Sequence, residues 1–174
     1  MKRPYFLLLV FITFFLCSFN LPPKVEKAKT ACTINKASSD TSEIKTLIEK
    51  YAESIDHADT VLAFTLFAHS EEVSFINPRG HEHGWAEIKN HIYKFFDDFF
   101  SKRKLNIYNP HVHVYGDIAW AEFYWVFDAT FKKDNSPLQT KGRETQIWRK
   151  IKNEWRLVHV HYSNMPITAA RQDL

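Results

Sequence analysis

Residues 142–166 read GRETQIWRKIKNEWRLVHVHYSNMP, and two runs of alternating character meet there at Lys152-Asn153. In the second run Trp155, Leu157, His159, His161 and Ser163 share one side of a strand, and Arg156, Val158, Val160 and Tyr162 share the other, because successive side chains of a strand point to opposite faces. In the first run the same alternation separates Arg143, Thr145 and Ile147 from Glu144, Gln146 and Trp148. The simplest structure is an antiparallel hairpin with two working faces. Everything upstream reads as material that covers one face of this sheet.

The next strand back, residues 118–131, sets Ala121, Phe123, Trp125 and Phe127 against Trp120, Glu122, Tyr124, Val126 and Asp128, which predicts that both its faces are at least half-buried. Gly116-Asp117 is a tight reversal from a strand over 105–115, and residues 132–137 form a polar turn. Trp85, Ile88, Ile92, Phe95, Phe96 and Phe99 recur at helical spacing. Val73, Phe75 and Ile76 make a short strand closed by the turn Asn77-Pro78-Arg79-Gly80, and residues 81–84 continue as a loop. Ile44, Leu47, Ile48, Tyr51, Ala52 and Ile55 mark a first helix, which Asp40 and Glu43 would start as a capping box. A second short helix carries Val61, Leu62, Phe64, Leu66 and Phe67 behind Asp59 as its cap. The order predicts an α+β fold: a curved antiparallel sheet with three helices over its concave face, forming a cone whose interior is the natural ligand site.

Composition agrees with one domain and something extra. The chain has 174 residues, 45% of them apolar, enough for an ordinary core. Its 16% aromatic content exceeds what a tight small core needs and favours an aromatic-lined cavity or a buried subunit contact. A formal charge of +3, partly from Lys2, Arg3, Lys24, Lys27 and Lys29, gives no dense basic face and argues against nucleic acid as a partner.

The N-terminus divides from the rest. Lys2 and Arg3 precede an apolar run from Tyr5 to Phe19, so residues 1–21 read as a signal peptide for export, periplasmic or secreted, with an uncleaved membrane anchor over 5–21 as the alternative. Residues 22–40, rich in Lys, Thr and Ser, read as a flexible linker. The domain is expected over 41–166, with a tail at 167–174. Cys32 would be alone after processing and reads as an incidental linker cysteine.

Several chemically suggestive groups have plainer explanations. Asp56 and Asp59 suit turn and cap duties better than acid–base work. His81-Glu82-His83 invites a metal, as do the pairs His111/His113 and His159/His161, yet zinc needs three or four ligands at fixed geometry, and two strands would separate the latter pairs. No metal and no cofactor is expected. Arg143 would pair with Glu122 or meet an anion at the sheet edge.

Three strings carry a family resemblance: Asn109-Pro110-His111-Val112-His113 with Gly116-Asp117, then Glu144-Thr145-Gln146-Ile147-Trp148, and Trp155 to His161 with Ser163. As NPHxH, ETxxW and WxxVHxHxS in that order, they resemble the nuclear transport factor 2-like superfamily, specifically SnoaL-like domains and the association (hub) domain of calcium/calmodulin-dependent protein kinase type II, over about residues 42–166. The resemblance implies a cone with a deep pocket and assembly through the sheet into homodimers or larger homo-oligomers. Where the hub has pocket arginines, this chain matches with Trp125, Gln146 and Tyr162, so the resemblance implies an aromatic, weakly polar pocket and not the hub's preference for a small carboxylate.

Two functions follow. One is an exported, non-catalytic module that binds a small, partly apolar molecule or serves in oligomerisation, with Trp125, Gln146, Tyr162, Phe123 and Tyr51 at the ligand. The other is a cofactor-free isomerase, dehydratase or cyclase, which needs an acid–base pair inside the cone. Its candidates are Glu144, Tyr162 and Tyr51, with His91 as a further possibility. A Glu144 carboxylate inside the cavity near Tyr162 discriminates between the two.

Overall fold

The structure, a computed structural model, describes residues 24–165, with side chains from residue 37 onward; residues 1–21, read as a signal peptide, and the tail at 167–174 lie outside the described residues, and the Cys32 side chain lies outside those described. The long helix α1 (Lys24–His57) is followed by α2 (Thr60–Leu66), then the strands β1 (Ser74–Asn77) and β2 (Gly80–His83). A third helical segment, α3, joins Gly84–Glu87, a π-helical Ile88–Tyr93 and Lys94–Phe99. Four long strands complete the chain: β3 (Phe100–Tyr115), β4 (Ile118–Phe131), β5 (Pro137–Ile151) and β6 (Glu154–Asn164).

The six strands form one sheet in the order β2-β1-β6-β5-β4-β3. The expected meander of four antiparallel strands is present. The sheet as a whole is mixed, however, because β1 runs parallel to β6. Residues 81–83, read as loop, are the strand β2 paired with β1.

Helix α1 presents Ile44, Ile48, Tyr51, Ala52 and Ile55 to the core, as their spacing predicts. It does not start at Asp40. The helix extends back to Lys24 through residues 24–40, the stretch read as a linker, since adding turns to an existing helix avoids the nucleation cost. Asp40 is instead a buried mid-helix carboxylate: Lys150 Nζ lies 2.5 Å from its Oδ1, and the Trp155 indole donates to the same oxygen at 3.2 Å. That contact ties α1 to the β5–β6 hairpin. Asp59 caps α2 as expected, its Oδ1 accepting from Val61 and Leu62 backbone N–H groups. Asp56 accepts from Leu105 N at 2.6 Å and Lys104 Nζ at 2.7 Å, pinning the end of α1 to β3.

The concave face of the sheet holds Ala119, Ala121, Phe123, Trp125 and Phe127 from β4 and Glu144, Gln146 and Trp148 from β5, all buried. The other face of β4 is open over its first half, where Ile118, Trp120, Glu122 and Tyr124 are exposed against the expectation that both faces are half-buried, while Val126 and Asp128 further on are half-buried as expected. Strict alternation also fails in β6. A bulge opposite Ile147/Trp148 inserts one residue at Val158, so Trp155 and Leu157 turn inward with Val160 and Tyr162. The turn at Lys152 (φ 51°) and Asn153 (φ 67°) has the two left-handed residues of a primed two-residue hairpin.

Gly142 is the one inner position of β5 without a side chain. An added Cβ there would overlap the Ser163 carbonyl oxygen and the Trp125 indole. Gly142→Ala should therefore lower stability by about 1–3 kcal/mol in urea unfolding and displace Trp125, seen as a change in indole fluorescence. Asp40→Ala strands Lys150 and the Trp155 N–H and should cost about 2–4 kcal/mol, whereas Asp40→Asn, which keeps an acceptor, should cost less.

Candidate functional site in the cone

Two rungs of the sheet build the floor of the cone. Phe123, Glu144 and Tyr162 lie across from one another on β4, β5 and β6, and Trp125, Gly142 and Asn164 form the next rung. Because Gly142 is empty, the Trp125 ring reaches Tyr162 edge-on, with centroids 5.5 Å apart. Above this floor a cavity of about 270 Å³ is closed by Tyr51 and Ile55 of α1, Phe95 and Phe96 of α3 and the β1–β2 turn. Phe100, Leu105, Phe127 and Phe131 complete its apolar wall.

Glu144 is the polar centre of that space. It is 4% exposed and lines the cavity with Tyr51, Tyr162 and Trp125. A chain of hydrogen bonds orients it. The Trp148 indole can only donate, so it fixes Gln146 Oε1 at 3.1 Å, which turns the Gln146 amide nitrogen toward Glu144 Oε1 at 2.8 Å. The Tyr51 hydroxyl bonds the same carboxyl. Burial still dominates, pushing the Glu144 pKa up to about 8, while the bonds from Gln146 and Tyr51 pull the other way. The acid is therefore mostly protonated at neutral pH. Burial also raises Tyr51 well above its ordinary value, and it raises Tyr162 to about 12 against the opposing charge of Arg79. Tyr93, raised by burial as well, shares a 2.8 Å hydrogen bond with Ser54 behind this cluster.

Of the residues nominated from sequence, Tyr51, Trp125, Glu144 and Tyr162 meet at the cavity. Gln146 and Phe123 do not line it; both are buried behind the wall, Gln146 as the support for Glu144. His91 is exposed, 2.6 Å from Glu82, and does not line the cavity. Arg143 is exposed across from Tyr124 and Ser163, and Glu122 has His113 at 4.0 Å instead.

The cavity is not free of positive charge, as the matched positions had suggested. Arg79, read only as part of a turn, lines it, its guanidinium 3.5 Å above the Phe95 ring. Asn77 Oδ1 fixes that turn by accepting from Arg79 N at 2.9 Å. No periodicity marks a turn residue's direction, and it is the folded β1–β2 turn that brings Arg79 to the cavity. Thr140 and Asn164 are further polar lining residues that strand alternation alone had not singled out.

The histidines stand apart from this space. His111 and His113 lie on β3, and β4 and β5 separate them from His159 and His161. His159 Nδ1 is 2.6 Å from Ser74 Oγ, and burial, then His161 and His81, lower its pKa. Among the described residues no group of three or more His, Cys, Asp or Glu is arranged to hold a metal ion.

A buried acid whose pKa burial pushes up to about 8, flanked by phenols in an apolar cavity, can bind a polar group or exchange a proton with one. Known proteins share this architecture. A structure described as a nuclear transport factor 2-like superfamily protein from Salmonella enterica serovar Typhimurium is 43% identical, covering 78% of this chain and 99% of its own, with a TM-score of 0.73. The association domain of the C. elegans calcium/calmodulin-dependent kinase II is 20% identical over 74% of this chain and 98% of its own (TM-score 0.60). A candidate scytalone dehydratase from Novosphingobium aromaticivorans is 15% identical over 80% of this chain and 93% of its own (TM-score 0.69). The last two show likeness of fold alone. The SnoaL-like domain model matches residues 44–168, and the chain belongs to that family, within the nuclear transport factor 2-like fold.

Proposed function

We propose that this SnoaL-like protein binds a compact, largely apolar molecule in its cone, with Glu144 as the polar contact at the floor. The cavity carries this reading: its wall is aromatic and aliphatic except for a few convergent polar groups, the composition of small-molecule sites. Its volume of about 270 Å³ sits at the small end of such sites and suits a ligand smaller than a typical drug.

A second reading is acid–base turnover of that ligand, and the position of Glu144 favours it. An acid with a pKa of about 8 can donate and recover a proton near neutral pH, with Tyr51 or Tyr162 polarising the substrate. The fold hosts both ligand binding and enzymes, so the fold does not choose. Native mass spectrometry of the purified protein should show a retained small molecule. Glu144→Gln should then keep affinity within about threefold if the role is binding, and lower turnover by about a hundredfold or more if it is catalysis. A cavity that retains nothing and takes no ligand from a library of small aromatic compounds would overturn both readings.

Self-association supports itself on the open face of the sheet, where Trp120 stacks between His113 and Tyr115, at 4.9 and 5.1 Å, and Tyr124 is exposed. Homodimers or larger homo-oligomers would cover these rings. Trp120→Asp should shift the mass by light scattering to that of the monomer. Export rests on the apolar run at 5–19 and is checked by the N-terminal mass of the mature protein.

The raised pKa of Glu144 fixes a pH dependence. The folded state holds the proton up to about pH 8, whereas the unfolded chain releases it near the ordinary 4.5. The folded state thus binds more protons across that window, and stability falls as pH rises through it, by up to roughly 1.4 kcal/mol per pH unit. Urea unfolding of Glu144→Gln should lack this slope.

A further inference from the structure

We propose that the cone's ligand is an anion: an apolar, ring-bearing carboxylate or similar oxyanion, its charged end against Arg79 and an acceptor within reach of the Trp125 indole N–H. This rests on the cavity being a binding site, and it names the chemistry the cavity selects.

Two groups point to it, one a cation without an ion-pair partner among the described residues and one a buried donor without an acceptor. The first is the Arg79 guanidinium. It sits at the exposed rim of the cavity, 3.5 Å from the Phe95 ring centroid, and among the described residues its guanidinium makes one hydrogen bond, a long 3.5 Å contact to the His91 carbonyl oxygen. Among the described residues no carboxylate lies within 4.0 Å of it. A guanidinium stays charged at every working pH and matches a carboxylate fork to fork. The second is Trp125 Nε1, a buried donor in a 5% exposed cavity-lining side chain with no acceptor. Native structures rarely leave such a donor orphaned, and a ligand oxygen would satisfy it.

The remaining groups do not cancel the charge. Glu144 is faced by Tyr51 from α1, Tyr162 from β6, Gln146 from its own strand and Tyr93 of α3, while Arg79 of the β1–β2 turn acts on Tyr162. None of these is anionic near neutrality, and Glu144 itself keeps its proton there. The cavity accordingly carries at its exposed rim one positive charge with no ion-pair partner among the described residues. Above about pH 8 the ionised Glu144 would oppose an anion, so affinity for an anion should fall there and affinity for a neutral analogue should not.

The test compares cinnamate with cinnamamide, matched in size, by titration calorimetry on the full protein. Cinnamate should bind roughly tenfold tighter or more near neutral pH, with the Trp125 indole N–H resonance shifting on binding. Arg79→Gln should remove the preference while leaving cinnamamide affinity within about threefold, and Arg79→Lys should keep part of it. Equal binding of the two probes, or a preference that survives Arg79→Gln, would overturn the anion inference and leave the cavity as a site for neutral ligands. Failure of both probes to bind folded protein at about millimolar concentration would remove the binding reading and the inference together.

Discussion

An ionisable acid enclosed by hydrocarbon is the constraint around which this molecule is arranged. Glu144 takes the central rung of the concave face, and leaving its charge uncompensated there would be prohibitive. The fold answers in two ways. It supplies donors in a fixed order, Trp148 to Gln146 to Glu144, closed from α1 by Tyr51. It also keeps the proton on the acid, since dipoles alone do not offset the lost hydration. Polar groups buried for this purpose sit beside a void that a packed core would have filled, which is the physical sense in which the cone is a site.

Around that rung, shape comes from absence as much as from bulk. Gly142 lets the Trp125 indole lie across β5 to Tyr162, and the indole in turn walls the cavity with its N–H unspent. The bulge in β6 lets Trp155 and Leu157 turn inward with Val160 and Tyr162, and Trp155 finds the Asp40 carboxylate of α1. The sheet thereby has one face that is core and cavity and another on which β4 leaves tryptophan and tyrosine rings in water.

Much of this was legible in the sequence, for identifiable reasons. Alternation on β4 and β5 put Phe123, Trp125, Glu144 and Gln146 on one face, and helical spacing found the buried stripe of α1. Period-two reasoning could not see the Val158 bulge, because an inserted residue leaves the composition of the strand unchanged. Nor could it separate lining from support: Gln146 and Glu144 share a face, and only the donor-only indole of Trp148 decides which is held back. Asp40 looked like a cap because Asp before an apolar-periodic run usually is one; a long-range partner, Lys150, claimed it. Arg79 was hidden by its place in a turn, since local chemistry fixes the backbone there and says nothing of which side chain the assembled fold brings to the cavity.

The measurement that bears most directly on this account is the titration of the Glu144 side-chain carboxyl by carbon NMR, assigned by comparison with Glu144→Gln. The account predicts a midpoint near 8, well above the ordinary 4.5. A midpoint in the ordinary carboxylate range would mean that water reaches the acid freely, and the enclosed, neutral floor described here would not exist.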